Sequence, residues 1–432
     1  GSGRHGDPRV SSAPDPTVDP GLVSWVPVGV DPDFPVQNLP FGAFSTPARG
    51  SRVGVAIGDH ILDLGEAHAA GHLDTLGIPP GALAGALLNP LLECGPDVWR
   101  ALRRRVSELL TTDDALRADP ERYLVPADDA TLELPVAITD FVDFYSSIHH
   151  ASNVGLMFRP DDPPLLPNWR HLPVGYHGRT STIVVSGTPV ARPRGQLPGN
   201  GAPRFGPSEK LDFEAEVGFI AGTANPIGGT IAIEDAEGHV FGMSLVNDWS
   251  ARDLQAWEYR PLGPFLAKSF ATTMSPWVVT LDALQPFRVD PPVQDPEPPA
   301  YLVDRAGGGA VDLTLTVALN GEVISRPRYA AMYWTMRQQL AHATVNGAAV
   351  TPGDLFASGT VSGPSRGELG CLLELTWNGA NPIDVGGERR TFLEDGDSVV
   401  IGGRAEAEGA VAIGFGRCAG TVAPARDGRA ET

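Results

Sequence analysis

The chain has 432 residues, with 32 basic against 52 acidic side chains and a formal net charge of −20, a balance that argues against nucleic acid or an anionic membrane surface as partner. Its length suggests two or three domains at a prior of about 150 residues each, and 42% hydrophobic residues leave ample material for a core. With 51 Gly and 41 Pro, the composition favours a loop-rich, mainly β architecture with some helix over a helical bundle, yet stays below the level of low-complexity disorder.

Residues 1–20, with Pro8, Pro14, Pro16 and Pro20 among small and charged neighbours, read as a disordered lead-in. A first domain follows over 21–135. In it, Arg52 to Asp63 reads as two β runs joined at Gly58-Asp59, and Asp97 to Leu110 carries Leu102, Val106, Leu109 and Leu110 at helical spacing. Acidic and Pro residues between Pro126 and Pro135 mark a boundary. The second domain, 136–425, is a series of short β runs such as Thr182–Val185 and Trp277–Thr280. Asp312 to Ile324 alternates polar and apolar residues and turns at Asn320-Gly321, a strong hairpin signal. Tyr329, Met332, Tyr333, Met336 and Leu340 predict one helix, stopped at Asn346-Gly347, and 426–432 reads as a polar tail. Cys94, Cys371 and Cys418 are odd in number and far apart, which fits neither a disulfide framework nor a zinc site and points to a reducing cytoplasm. No apolar run approaches the roughly 18 to 20 residues that span a bilayer.

Four stretches hold residues suited to chemistry. Glu214 and Glu216 lie in Leu211 to Ile220, which reads as a strand; period two puts both carboxylates on one face, about 7 Å apart. Such a pair suits a hard divalent cation, or is simply a solvated strand face. Asp143 and Tyr145 share a face if extended, with His149 and His150 close behind, a density that resembles a site for a polarised oxygen with a base beside it. In Asn247 to Tyr259, Ser250 and Asp253 predict a capping box. Arg252, Gln255 and Tyr259 then share one helix face, and Asp248 precedes the helix where a loop could aim it at a metal. Only two residues are lysines, Lys210 and Lys268. Lys268, among small and apolar residues, suits an oxyanion or excess carboxylate; Lys210, beside Glu209, reads as a surface charge.

Asp143-Phe144-Tyr145-Ser146-Ser147, Asn168-Trp169 with His171 to Arg179, Asn247 to Asp253, and Ala357-Ser358-Gly359-Thr360 together closely resemble the fumarylacetoacetate hydrolase family, over about Ser24 to Ala425. The resemblance implies a small SH3-like N-terminal domain, a C-terminal mixed β-sandwich roll, a homodimer, and hydrolysis of a carbon–carbon bond in a β-diketone to give fumarate and acetoacetate, the last step of tyrosine and phenylalanine catabolism. By position it implies Ca2+ held by Asp143, Glu214, Glu216 and Asp248, and Mg2+ near Asp248, Lys268 and Thr272. It gives His150 as general base with Glu374 orienting it, Arg252, Gln255 and Lys268 as donors to developing negative charge, and Tyr145, Arg159, Tyr176, Gln255, Tyr259 and Thr360 as substrate contacts. Two positions depart from the family pattern: His149 stands beside the base, and Ala271 stands where Gly is usual, crowding the expected Mg2+ site. The rival readings are an acylpyruvate hydrolase or a related oxo-diacid hydratase, decarboxylase or isomerase, and a non-catalytic Ca2+-stabilised binding protein.

Overall fold

The computed structural model describes residues 15–112 and 114–426. Most of the expected lead-in, and the tail beyond residue 426, lie outside the described residues. Residues 15–20 differ from the expected disorder: Pro16–Val18 is a short 3-10 helix capped by the Asp15 side chain. Arg103 Nε donates to Thr17 Oγ1 at 2.8 Å and Arg104 Nη2 to Asp15 at 3.0 Å, so buried polar partners hold what Pro content alone suggested was loose.

The N-terminal stretch is a small antiparallel sheet with four short α-helices and one long amphipathic α-helix among the described residues. Arg49–Ile57 and His60–Asp63 form the expected hairpin. Gly58 supplies its turn at φ +54, and a Cβ there would meet the Pro27 carbonyl oxygen at 2.6 Å. The long helix spans Pro96–Thr111, starts on a proline at its first turn and buries Trp99, Leu102, Val106, Leu109 and Leu110, each worth about 1.5–3 kcal/mol of burial.

This sheet does not end at the boundary near residue 135. Phe41–Thr46 pairs with Trp277–Thr280, setting Phe41 opposite Val278, and one sheet of 13 strands among the described residues runs through both halves. Its centre is Val240–Asp248, buried throughout and antiparallel to Ala215–Ala221, Thr272–Met274 and Trp277–Thr280. Beyond Ala215–Ala221 lie Leu355–Ala357, Phe141–Phe144 and Gly175–His177. A second sheet of five strands is built on Leu313–Leu319, Ser398–Ala405 and Ile413–Ala423. The core holds Val217, Phe219, Met243 and Leu245 together with Leu313, Leu315, Val317, Ile401 and Phe415. Leu313–Leu319 alternates buried and half-buried residues, and Asn320 and Gly321, both at positive φ, close its hairpin.

Three local expectations change. The Leu211 to Ile220 run is broken: Leu211–Asp212 pairs with Ser250–Ala251, and the regular strand starts at Ala215. The Ser250 capping box is absent: the helix is Arg252–Glu258, Ser250 Oγ donates back to the Asp248 carbonyl at 3.0 Å, and Asp253 is taken by Ser208 and Glu209. The later helix begins only at Met336, where Thr335 and Gln338 form a capping box, because Tyr329–Ala331 is a 3-10 turn.

Candidate metal and acid–base site

The ends of three paired strands converge. Asp143 lies on Phe141–Phe144, opposite Ala357 and Tyr176; Glu216 lies near the start of Ala215–Ala221, with Glu214 just before it; Asp248 ends Val240–Asp248 opposite Thr272. All four carboxylates are buried and offer oxygens within 4.8 Å of one another. That excludes a solvated strand face.

Two buried cations partly balance the group. Lys268 Nζ donates to Glu214 Oε2 at 2.6 Å and to Asp248 Oδ2 at 2.7 Å. Arg252 donates from Nη1 to Glu214 Oε1 at 2.6 Å and from Nε to Asp212 at 2.9 Å. Burial works against ionised Glu214, but Lys268 and Arg252 outweigh it and hold the carboxyl below its usual range. Burial pushes Asp143 and Glu216 the other way, well above that range, and the neighbouring carboxylates add to it. Asp143 Oδ1 and Glu216 Oε1 have no hydrogen-bond partner among the described residues. Four carboxylates against two cations, with two carboxylate oxygens unmatched, fit one divalent cation with oxygen ligands, since an uncompensated buried charge costs several kcal/mol. Glu216 is also fixed by the Gly359 N–H at 3.2 Å. Only glycine fits there: its φ is +77, and a Cβ would lie 2.2 Å from the Phe144 carbonyl oxygen.

Ser147 caps the helix Ile148–Phe158, its hydroxyl accepting from the His150 N–H at 3.1 Å. This sets His150 into the interior, with Nδ1 2.7 Å from Glu374 Oε2 and Nε2 3.9 Å from Glu214 Oε1. Because an ionised carboxylate only accepts, Nδ1 carries the proton of this bond, and Nε2 faces the carboxylate cluster. Glu374 receives further bonds from Asn153 at 2.8 Å and Ser362 at 2.7 Å, with the Cys371 thiol at 3.2 Å. Burial opposes its charge, but His150 and these donors hold its carboxyl below the usual range. His149 is half-buried, and burial lowers its pKa.

Of the expected substrate contacts, Tyr176 donates to Asp248 Oδ2 at 2.9 Å, the Tyr145 ring meets His150 edge-on at 5.3 Å, and Gln255 accepts from Arg252 Nη1 at 3.0 Å. Burial pushes both phenols up, so both stay protonated donors. Thr360 is buried beside Gly359, its hydroxyl without a hydrogen-bond partner among the described residues. Arg159 caps the helix that carries His150 and donates to the Pro164 carbonyl at 3.2 Å, its Nε buried without a hydrogen-bond partner among the described residues. Tyr259 lies one turn beyond Gln255, against Phe158 at 6.1 Å. Thr272 Oγ1 stands 3.3 Å from Asp248 Oδ1, and Ala271 packs into the main core.

Sequence reasoning passed over Asp212, Asn153 and Ser362. Asp212 accepts from Arg252 and from the Leu372 and Leu373 N–H groups at 2.7 and 2.9 Å, so it ties Arg252 to the helix that carries Glu374. Asn153 is three residues after His150, a same-face spacing that could have exposed it; Ser362 carries no local signal.

The family model described as "Fumarylacetoacetate (FAA) hydrolase C-terminal" matches residues 140–423, and "Fumarylacetoacetase N-terminal" matches residues 37–135. The chain is 50% identical to the fumarylacetoacetase of Caenorhabditis elegans over 94% of this chain and 100% of that one. It is 49% identical to the fumarylacetoacetase of Homo sapiens over 93% and 99%. The solved fumarylacetoacetate hydrolase from Exiguobacterium antarcticum superposes with a TM-score of 0.52 at 19% identity, covering 90% of this chain and 100% of that one, a likeness of fold. Near-complete coverage at half identity, over both matched regions, makes the chain a member of the fumarylacetoacetate hydrolase family.

Proposed function

We propose that this enzyme hydrolyses the carbon–carbon bond of 4-fumarylacetoacetate to fumarate and acetoacetate, the last step of tyrosine and phenylalanine catabolism. One observation carries the chemistry: His150 Nε2 stands 3.9 Å from Glu214 Oε1, so a base held by Glu374 faces the edge of a carboxylate cluster whose charge Lys268 and Arg252 only partly balance. In this reading Asp143, Glu214, Glu216 and Asp248 would hold Ca2+, and Asp248, Lys268 and Thr272 would border Mg2+. Bound there, a divalent cation supplies Lewis-acid polarisation of a diketone carbonyl.

His150 Nε2 takes a proton from water, and Glu374 stabilises the imidazolium that results. The hydroxide adds to the carbonyl, the carbon–carbon bond breaks, and the proton on Nε2 returns to the leaving carbanion. Arg252, Gln255 and Lys268 aim donors at the charge that develops. Tyr145, Tyr176, Tyr259, Thr360 and Arg159 position the substrate, the guanidinium suiting a terminal carboxylate. A homodimer in the cytoplasm is the accompanying reading. The family resemblance supports the dimer, and the free thiols of Cys94, Cys371 and Cys418 suit a reducing compartment.

Ultraviolet absorbance of fumarylacetoacetate should fall when enzyme and a divalent ion are added, and His150→Ala should slow that fall by about 10²–10⁴-fold. Turnover of acylpyruvates with none of fumarylacetoacetate would move the chain to a sister activity. Unchanged rate in His150→Ala would refute the mechanism.

A further inference from the structure

A cavity of about 530 Å³ shares Arg252 with the carboxylate cluster, and its wall includes Lys210, Asp253, Tyr259, Arg260 and Asn378. Its charge runs against the chain's net −20: three cations line it and one carboxylate. That carboxylate is spoken for, since Asp253 accepts from Ser208 Oγ at 2.6 Å and from the Glu209 N–H at 2.7 Å.

The three cations have donors to spare. Lys210 is half-buried; its Nζ donates to Asn378 Oδ1 at 2.9 Å and lies 5.4 Å from the Phe392 ring centre. The Arg260 guanidinium stands 5.2 Å from the Tyr259 ring centre. Neither has a carboxylate within 4.0 Å among the described residues. Arg252 is 2% exposed, yet its Nη2 is buried with no hydrogen-bond partner among the described residues, while Nε and Nη1 are both engaged. The Arg252 N–H also donates to the Lys210 carbonyl at 2.9 Å, which fixes the two residues side by side. Two cations without counter-ions among the described residues, on the wall of one cavity, describe a place for a carboxylate.

We infer that Lys210 and Arg260 form an outer carboxylate subsite beside Arg252. It takes the end of a dianionic β-diketo acid opposite the one Arg159 receives, and so favours dianionic over monoanionic substrates. The inference rests on the hydrolase reading above. It also makes Lys210 a specificity-determining residue, where sequence alone suggested a surface charge.

The test uses full-length enzyme with its divalent ion. KM and kcat are measured for fumarylacetoacetate and for an alkyl acylpyruvate, which has one carboxylate, in wild type, Lys210→Met, Arg260→Gln and Lys210→Arg. The KM ratio of dianion to monoanion should rise roughly tenfold in Lys210→Met and in Arg260→Gln, the scale of a charge-assisted hydrogen bond, with the change falling on KM rather than kcat. Lys210→Arg should restore the wild-type ratio. A structural role would move both KM values together, and that result overturns the subsite. Calorimetric titration with fumarate separates this from the activity itself: weaker binding in both variants supports the subsite even if wild type fails to cleave fumarylacetoacetate, and equal binding refutes it.

Discussion

Asp143, Glu214, Glu216 and Asp248 crowd their oxygens within 4.8 Å and leave Asp143 Oδ1 and Glu216 Oε1 without a donor among the described residues, whereas Glu374 receives His150, Asn153, Ser362 and Cys371. Both groups are buried, and both contain residue types that bind metals. The difference lies in satisfaction. Glu374 carries one charge with its acceptors filled, so its surroundings favour the ionised form and fix the proton of His150 on Nδ1. The four-carboxylate group carries more charge than Lys268 and Arg252 neutralise, so its surroundings favour whatever brings in positive charge. Burial thus raises Asp143 and Glu216, while the donors around Glu374 overcome burial and lower it.

The largest effect should come from removing the cation with a chelator. Activity should fall about a thousandfold, equivalent to roughly 4 kcal/mol of transition-state stabilisation. Glu216→Gln sharpens the contrast because it removes one unmatched charge. With the divalent ion present it should lower both activity and thermal midpoint; in chelator it should raise the midpoint above that of wild type. Differential scanning fluorimetry with and without chelator reads both signs, and equal shifts in the two conditions would show that no cation compensates this cluster.

A smaller, opposite response is expected of Glu374→Gln, which leaves shape but removes the ionised acceptor. Its kcat should drop about a hundredfold, and its stability should fall by about 1–3 kcal/mol at neutral pH, the penalty for unmatched buried donors. The sign with pH follows from a depressed carboxyl. Its contribution is present above the usual value of 4.5 and is lost as pH falls through the lower folded value. Thermal midpoints of wild type and Glu374→Gln should therefore converge as pH drops below about 4.5. A gap that stays constant would mean that Glu374 is not held ionised by its neighbours.

How much of this contrast was legible depends on how local each signal is. Glu214 and Glu216 were legible only as a pair that suits a cation or a solvated face, Asp143 and Asp248 joined them through the density beside Asp143 and the family resemblance, and Lys268 stood out because lysine is rare in this chain. The hairpins at Gly58-Asp59 and Asn320-Gly321 were readable because turn chemistry is written in two residues. Ser362 and Asp212 reach their partners across pairings fixed only by the tertiary fold, and 12 and 160 residues respectively separate them from Glu374 and Leu372. The shared 13-stranded sheet was hidden too, because composition shifts near Pro126 to Pro135 while the pairing of Phe41 with Val278 leaves no local mark. The Ser250 capping box misled because Ser208 and Glu209 compete for Asp253 from elsewhere in the chain.

Cys371→Ala should produce the smallest change, and its size tests how far the Glu374 group depends on each donor. Burial pushes the Cys371 thiol well above its ordinary range, with the Glu374 charge adding to it, so the sulfur keeps its proton and donates at 3.2 Å. A thiol is a weak donor, and Asn153 and Ser362 still fill the carboxylate without it. Side-chain volume falls by one sulfur in a pocket shared with Leu373 and Phe392, so the stability cost should be about 1 kcal/mol, set by lost packing. The rate should stay within about twofold of wild type, because the His150 to Glu374 bond that sets the tautomer is untouched. Steady-state kinetics and thermal unfolding of one variant decide the matter. A loss approaching that of Glu374→Gln would mean that the sulfur, at 3.9 Å from His150 Nδ1, shares in holding the imidazole, and the group would then be a triad.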